Sequence, residues 1–207
     1  MGRSQSTLKA PSATADLSKF PQYKHRARLR LYRAHHKDYN PWYFSASAGR
    51  FDLESPRGTL NLASSREVAM REMLGKVMVR SSRIPAAQIS GKRVSTLEVP
   101  ATTFADFTST KASAFGIIPG DVSAPRRTYA MTQKWAKAIH AANFGGIRSR
   151  SRFSGGNAPC CLYLFGDAGQ HELGDISAVT TVREVMSELR WITIDPTPAS
   201  SSLIIDP

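Results

Sequence analysis

Three polar side chains occupy positions where the pattern of this sequence calls for apolar ones: Arg33, Glu72 and Ser151. Each lies in a different segment, and each segment has the periodicity of a regular element. A buried arginine needs an anionic partner, which is either a protein carboxylate or a ligand phosphate. Together, a guanidinium, a carboxylate and a hydroxyl in apolar surroundings indicate a polar pocket for an anionic ligand.

The arginine lies at the end of an alternating stretch, HRARLRLYR (25–33), which predicts a β-strand. Arg26, Arg28 and Arg30 share one face of this strand, whereas Arg33 falls with Leu31 on the apolar face. The alternative is that the strand ends at residue 32 and leaves Arg33 exposed to solvent.

The glutamate falls within the apolar arc of a predicted helix. Residues 64–67, Ser-Ser-Arg-Glu, have the pattern of a capping box that starts this helix. At 100° per residue, Val68 and Ala69 flank Glu72, and Met73 and Val77 continue the same arc. The alternative is that Glu72 is a boundary residue or part of a structural salt bridge, which is the more common fate of a lone helix carboxylate.

The serine lies in GIRSRSRF (146–153), where alternation returns and predicts another strand. Its arginines, at positions 148, 150 and 152, are expected to face outwards. Ile147, Ser149, Ser151 and Phe153 are expected to face the core, which places two hydroxyls among apolar side chains.

The remaining elements predict an α+β domain in which helices pack against a mixed sheet. Further strands are predicted at 58–63 (GTLNLA), 92–99 (KRVSTLEV), 158–165 (APCCLYLF) and 191–195 (WITID). Helices are predicted at 126–142, with a stripe of Met131, Trp135, Ile139 and Ala142, and at 182–190. Residues 102–125 have no clear assignment. We expect one domain over 23–196, flanked by disordered tails at 1–22 and 197–207.

The composition sets limits on what the chain can bind. Its formal net charge is +12, which fits nucleic acid, an anionic surface, a phosphate-bearing substrate or simple solubility. No apolar run is long enough to cross a membrane and no signal peptide is evident, so we expect a cytoplasmic protein. The two cysteines are adjacent and the five histidines lack ligand spacing, so we expect no metal.

Several segments, taken in order, resemble the RES-domain family across residues 25–195. They are LYR (31–33), GRF (49–51), GTLNLASSREVAMRE (58–72), WAKAIH (135–140), GIRSRSRFSG (146–155) and LYLFG (162–166). Members of this family are typically bacterial toxins that consume NAD, are paired with an Xre-like antitoxin, and have a fold similar to ADP-ribosyltransferase toxins. The resemblance therefore implies NAD as substrate and an antitoxin protein as partner.

The same resemblance assigns roles to individual residues. Glu72 would stabilise the positive charge that develops on the ribose as nicotinamide leaves. Arg33 and Arg50 would bind the pyrophosphate, Ser151 would orient the ligand, and Tyr32 is the aromatic expected beside the first arginine. The acceptor is left open: water, inorganic phosphate or a protein side chain.

Two positions depart from the family's pattern, because Asn61 and Ser149 stand where tyrosines are common. Loss of aromatic surface at Asn61 removes stacking, although an amide can hydrogen-bond instead. These departures motivate a second hypothesis, an inactive relative that serves as a binding protein. The arginine-bearing strand faces and the net charge motivate a third, a nucleic-acid-binding protein, although no zinc finger, helix-turn-helix or RNP-like strand is evident.

Overall fold

An eight-stranded mixed sheet forms the centre of the fold. The computed structural model describes residues 8–46, 49–123, 129–155, 160–190 and 192–196. The strands are β1 (Gln22–His25), β2 (Arg30–His36), β3 (Tyr43–Phe44), β4 (Arg57–Ala63), β5 (Arg83–Pro85), β6 (Lys92–Glu98), β7 (Thr102–Asp106), β8 (Gly146–Arg150), β9 (Cys160–Asp167), β10 (Gly169–Gln170), β11 (Ile176–Thr181) and β12 (Thr193–Asp195). The helices are α1 (Arg66–Met78), α2 (Ala86–Ile89), α3 (Pro119–Ser123), α4 (Ala130–Ala141) and α5 (Val182–Ser187). The prediction of an α+β domain built on a mixed sheet is confirmed.

Two neighbouring strands in the middle of the large sheet, β4 and β2, share very few backbone pairs. The order is β1-β7-β8-β9-β4-β2-β6-β11, with β7 and β8 parallel and the other neighbours antiparallel. β4 pairs with β9 along its whole length, but it pairs with β2 only at Tyr32 and Ala63. The sheet therefore opens between β2 and β4, beside helix α1.

Two apolar clusters hold the sheet from opposite faces. On the helical face, Val68 and Leu74 of α1 pack in one cluster with Trp135 and Ile139 of α4. The other cluster includes Leu60 and Leu162 of the sheet, with Trp42 and Phe44 from the segment after β2. Full burial of each such side chain contributes roughly 1.5–3 kcal/mol, so the strands on either side of the opening are firmly anchored.

Helix α1 begins one residue later than the capping-box pattern predicts. The side chain of Ser65, not Ser64, caps the helix by accepting a hydrogen bond from Val68 N at 3.2 Å. Ser64 Oγ instead accepts from Cys160 N at 3.1 Å and ties the end of β4 to β9. The capping-box prediction is wrong because Ser64, directly after β4, bonds Cys160 through both its amide and its hydroxyl and so does not cap the helix.

The predicted strand over 25–33 is two strands separated by a turn. β1 ends at His25 and β2 begins at Arg30, while Arg28 has a φ of 65°. Leu29, which the same alternation places on the apolar face with Leu31, is 47% exposed. Alternation predicted one continuous strand because the turn contains neither glycine nor proline, the usual signals of a chain reversal.

The prediction of a disordered tail at 1–22 is wrong for residues 8–22. Leu8 and Phe20 are buried, and the Phe20 ring lies 5.1 Å from that of Phe107. The indole nitrogen of Trp135 donates to Lys9 O at 2.8 Å. Two apolar residues thus anchor a segment whose overall composition is polar. Residues 1–7 and 197–207, for which disorder was also expected, lie outside the described residues.

Candidate active site

The opening between β2 and β4 forms a cavity of about 140 Å³ against helix α1. Its polar lining comes from Tyr32 and Arg33 of β2, Asn61 of β4 and Glu72 of α1. Ala69 and Met73 of α1 contribute apolar surface on either side of Glu72. Four residues chosen from the sequence therefore share one cavity, although they come from three elements.

Glu72 is held by the chain that follows β8. Its Oε1 accepts a hydrogen bond from Ser151 Oγ at 2.7 Å and another from Arg152 N at 2.8 Å. Ser151 is 7% exposed, and its Oγ also accepts from Phe153 N at 3.3 Å. Among the described residues, Glu72 forms no ion pair, so the salt-bridge alternative is wrong and its donors are neutral.

Arg33 crosses the opening, and none of the ion pairs among the described residues includes it. Its Nη1 donates to Asn61 O at 2.8 Å, and in the described part of the chain its buried Nε has no hydrogen-bond partner. Burial lowers the pKa of Arg33 to about 10, with the charge of Asp52 opposing the shift, so the guanidinium remains cationic at neutral pH. The exposed-arginine alternative is therefore wrong, because Arg33 continues β2 and keeps unused donors beside the cavity.

Arg50 does not line the cavity but lies next to it in the core. Its guanidinium donates to Val122 O at 3.1 Å and to the hydroxyl of Tyr163, and it lies 5.4 Å from the Phe51 ring centre. Burial alone would lower the pKa of Arg50, but Tyr163 and the charge of Glu72 raise it overall. The structure thus assigns Arg50 protein partners, and the charge of Glu72 is close enough to act on it.

Two residues of β9 belong to the site but were missed in the sequence. Cys161 is fully buried, and burial together with the charge of Glu72 raises the pKa of its thiol. Tyr163 faces Asn61 in the strand register and bonds Arg50; burial raises its pKa as well. The alternation of β9 places both side chains on one face, which is the signal that could have identified them.

Arg152 was expected to face outwards, and this prediction is wrong. Its backbone amide bonds Glu72, and its Nη1 donates to Tyr129 Oη at 3.0 Å. Its guanidinium carbon also lies 4.7 Å from the Phe153 ring centre. The reason is that β8 ends at Arg150, so strand alternation no longer governs the residues that follow.

No helix in the described parts of the chain is long and apolar enough to cross a membrane. The same residues contain no group of three histidine, cysteine or acidic side chains that could hold a metal ion.

Comparison with known proteins gives one family and one fold. The RES domain family matches residues 30–185. The crystal structure of the M. tuberculosis MbcT–MbcA toxin–antitoxin complex contains a chain with the same fold, at a TM-score of 0.62 and 15% identity. The alignment covers 84% of this chain and 93% of that chain. No curated protein sequence matches this chain. Because the family match spans most of the sequence, and the fold and site motifs agree with it, the chain belongs to the RES-domain family.

Proposed function

We propose that this protein is the toxin of a toxin–antitoxin pair and that it cleaves the nicotinamide–ribose bond of cytoplasmic NAD. The observation that carries the proposal is the position of Glu72, which Ser151 and Arg152 hold on the wall of a cavity beside Arg33. A fixed carboxylate and a cation with unused donors match a substrate that joins a ribose to a pyrophosphate.

Cleavage breaks the bond between the ribose anomeric carbon and the nicotinamide nitrogen, and the electron pair leaves with nicotinamide. The carboxylate of Glu72 stabilises the positive charge that develops on the ribose, and an acceptor then bonds to the anomeric carbon. Ser151 and the Arg152 amide fix the carboxylate before the substrate arrives, so little reorganisation is needed in the transition state.

The size of the cavity limits how much of NAD it encloses. Pockets that bury whole small-molecule ligands usually measure about 300–1,000 Å³, and this cavity is about 140 Å³. We therefore propose that it takes the nicotinamide end, with Tyr32 and Asn61 on its walls and Arg33 meeting a phosphate. In this arrangement Arg50 compensates the charge of Glu72 and does not bind the pyrophosphate.

The pairing with a partner rests on the family and on the structural comparison. The similar chain comes from the M. tuberculosis MbcT–MbcA toxin–antitoxin complex. We propose that this chain also assembles with an antitoxin protein, which the family resemblance implies to be Xre-like.

Glu72→Gln tests the reaction directly. We expect nicotinamide release from NAD by the purified protein to fall by on the order of 10²–10³, because an amide cannot stabilise the developing cation. Glu67→Gln on the same helix is the matched control, since Glu67 pairs with Arg71 away from the cavity and its loss leaves the rate unchanged. Product analysis with and without inorganic phosphate identifies the acceptor. Equal rates in the Glu72→Gln and native proteins would overturn the proposal, as would no release from correctly folded native protein.

The nucleic-acid hypothesis was motivated by the net charge and by two arginine-bearing segments, at 26–30 and 148–152, and it loses support at the second of these segments. Arg148 pairs with Asp106 at 3.1 Å and lies 4.7 Å from the Tyr23 ring centre, and Arg152 bonds Tyr129. Of the three arginines in this segment, only Arg150 is exposed without such a contact among the described residues. The segment therefore offers no row of free cations for a phosphate backbone.

A further inference from the structure

Strand β11 ends the large sheet with an unusually bare edge. It pairs with β6 on one side, and no described strand covers the other. All but one of its residues are exposed, including Ile176 at 46% and Val179 at 52%, and its sequence ISAVTT contains no charge. Proteins usually protect such an edge with lysine, proline or a covering segment, because its unpaired backbone groups can accept another strand.

The two ends of this strand carry opposite charges. Glu172 and Asp175 precede it and are exposed, whereas Arg183 follows it, next to Glu184, whose carboxylate accepts hydrogen bonds from Thr181. At this basic end, Arg183 lines a cavity of about 680 Å³ together with Lys92 and Arg93. Arg93 lies opposite Thr181, the last residue of β11, in the strand register. The described ion pairs include none of these three cations.

We propose that β11 pairs antiparallel with β11 of a second copy of this chain, so that the two sheets join across a two-fold axis. An antiparallel arrangement brings the acidic end of each strand to the basic end of the other, and the two-fold axis forms this contact twice. With Val179 of one copy opposite Val179 of the other across the axis, Asp175 of one copy falls opposite Arg183 of the other in the extended register. A parallel pairing would place like charges together.

The partner's identity follows from this charge pattern, because the surface is complementary to itself. A register shift between Ile176 and Ala178 interrupts the strand, so regular pairing centres on Ala178–Thr181. Such a short contact buries less than the roughly 800 Å² per partner of a standard interface, so the dimer is weak and concentration-dependent.

Val179→Lys tests the edge contact, and Val79→Lys is its matched control. Val79, at the end of α1, is 71% exposed, so both variants add one cation at an exposed valine. Near a two-fold axis the added lysines of both copies meet. Sedimentation of the native protein over a micromolar concentration series should show a monomer–dimer equilibrium. The Val179→Lys substitution should raise the Kd of this dimer about tenfold or more. Val79→Lys should leave it unchanged, and circular dichroism should show that both variants are folded.

A charge exchange separates the proposed contact from any general loss of structure. Asp175→Arg and Arg183→Glu should each weaken the dimer, and the double variant should restore it, because the exchanged charges again meet as opposites. A protein that stays monomeric at every concentration would overturn the proposal. So would a dimer that is indifferent to Val179→Lys, or a double variant as weak as the singles.

Discussion

Glu72 receives hydrogen bonds from a side chain and from a backbone amide of the segment after β8, and the two respond differently to substitution. Ser151→Ala removes the hydroxyl donor but leaves the amide of Arg152 in place. We expect nicotinamide release to fall by about tenfold, less than for Glu72→Gln, because losing one preorganised donor costs part of the stabilisation and not the charge itself.

Steady-state kinetics distinguish this positioning role from substrate binding. If Ser151 acts through Glu72, the change appears in kcat, with KM close to that of the native protein. Thermal unfolding supplies the structural control, since the loss of one partly buried hydroxyl costs only about 1 kcal/mol. A raised KM at constant kcat would contradict the positioning role and indicate direct contact with NAD.

Helix α1 and the segment after β8 depend on a glycine for their close approach. Gly75 lies mid-helix, where glycine is normally unfavourable by about 1 kcal/mol relative to alanine. A Cβ at this position would overlap the ring of Phe153. Phe153 directly follows Arg152, whose amide bonds Glu72, so the packing of this ring helps to position the Glu72 carboxylate.

Gly75→Ala should therefore destabilise the protein despite the better helix propensity of alanine. Overpacking of a filled site costs about 1–3 kcal/mol, which exceeds the gain in propensity. Gly120→Ala in α3 is the control, because a Cβ there meets nothing within 4 Å. Chemical denaturation should show a lower free energy of unfolding for Gly75→Ala alone, with a parallel fall in nicotinamide release. Equal free energies of unfolding for the two variants would contradict the prediction, because they would show that the Phe153 ring can move aside without loss of stability.

The sequence predicted the regular elements well where their periodicity was uninterrupted. Strands β4, β6 and β9 and the core stripe of α4 lie where alternation and helical spacing placed them. It failed between β1 and β2, where the turn contains no glycine or proline, and after β8, where the strand ends at Arg150, five residues before the first glycine. Periodicity describes one element at a time, so it could not show that β2 and β4 diverge.

The same limit explains which site residues could be found from the sequence. Arg33, Glu72 and Ser151 stood out because each interrupts an apolar pattern within its own element. Cys161 and Tyr163 fit the apolar pattern of β9 and do not interrupt it, so only their shared strand face could have indicated them. The pairing of Arg50 with Tyr163, 113 positions apart, is a tertiary contact that no local rule predicts.

The whole fold persists across a large difference in sequence. At 15% identity, the chain from the MbcT–MbcA complex still aligns with 84% of this one. Apolar residues of suitable size in the right pattern are enough to specify an architecture, so most individual residues are free to change. The folded unit also extends beyond the family match at residues 30–185, since β1 pairs with β7 and β12 with β5.

The response of the whole molecule to acid should depend on its buried histidines. His25, at the end of β1, is 3% exposed, and its ring lies 6.3 Å from that of Phe104, edge to face. Burial lowers the pKa of His25, an effect that the backbone of Leu29 opposes only in part. The unfolded chain therefore binds a proton more readily than the folded one. The contribution of neutral His25 to the free energy of unfolding should be fully present above the pKa of the unfolded chain, about 6.5. It should decline as the pH falls below that value.

His25→Leu removes the titrating group while keeping an apolar side chain at the buried position. From about pH 7 to about pH 5.5, a window above the titration of ordinary carboxylates, the native protein should lose more unfolding free energy than this variant. The unfolding free energy of the variant should still depend on pH, but with a smaller slope. The remaining slope is expected because burial also lowers the pKa of His35, whose Nε2 lies 2.8 Å from Ser95 Oγ. Urea denaturation at several pH values gives both slopes. If the slopes are the same, protonation of His25 does not limit the acid stability of the fold.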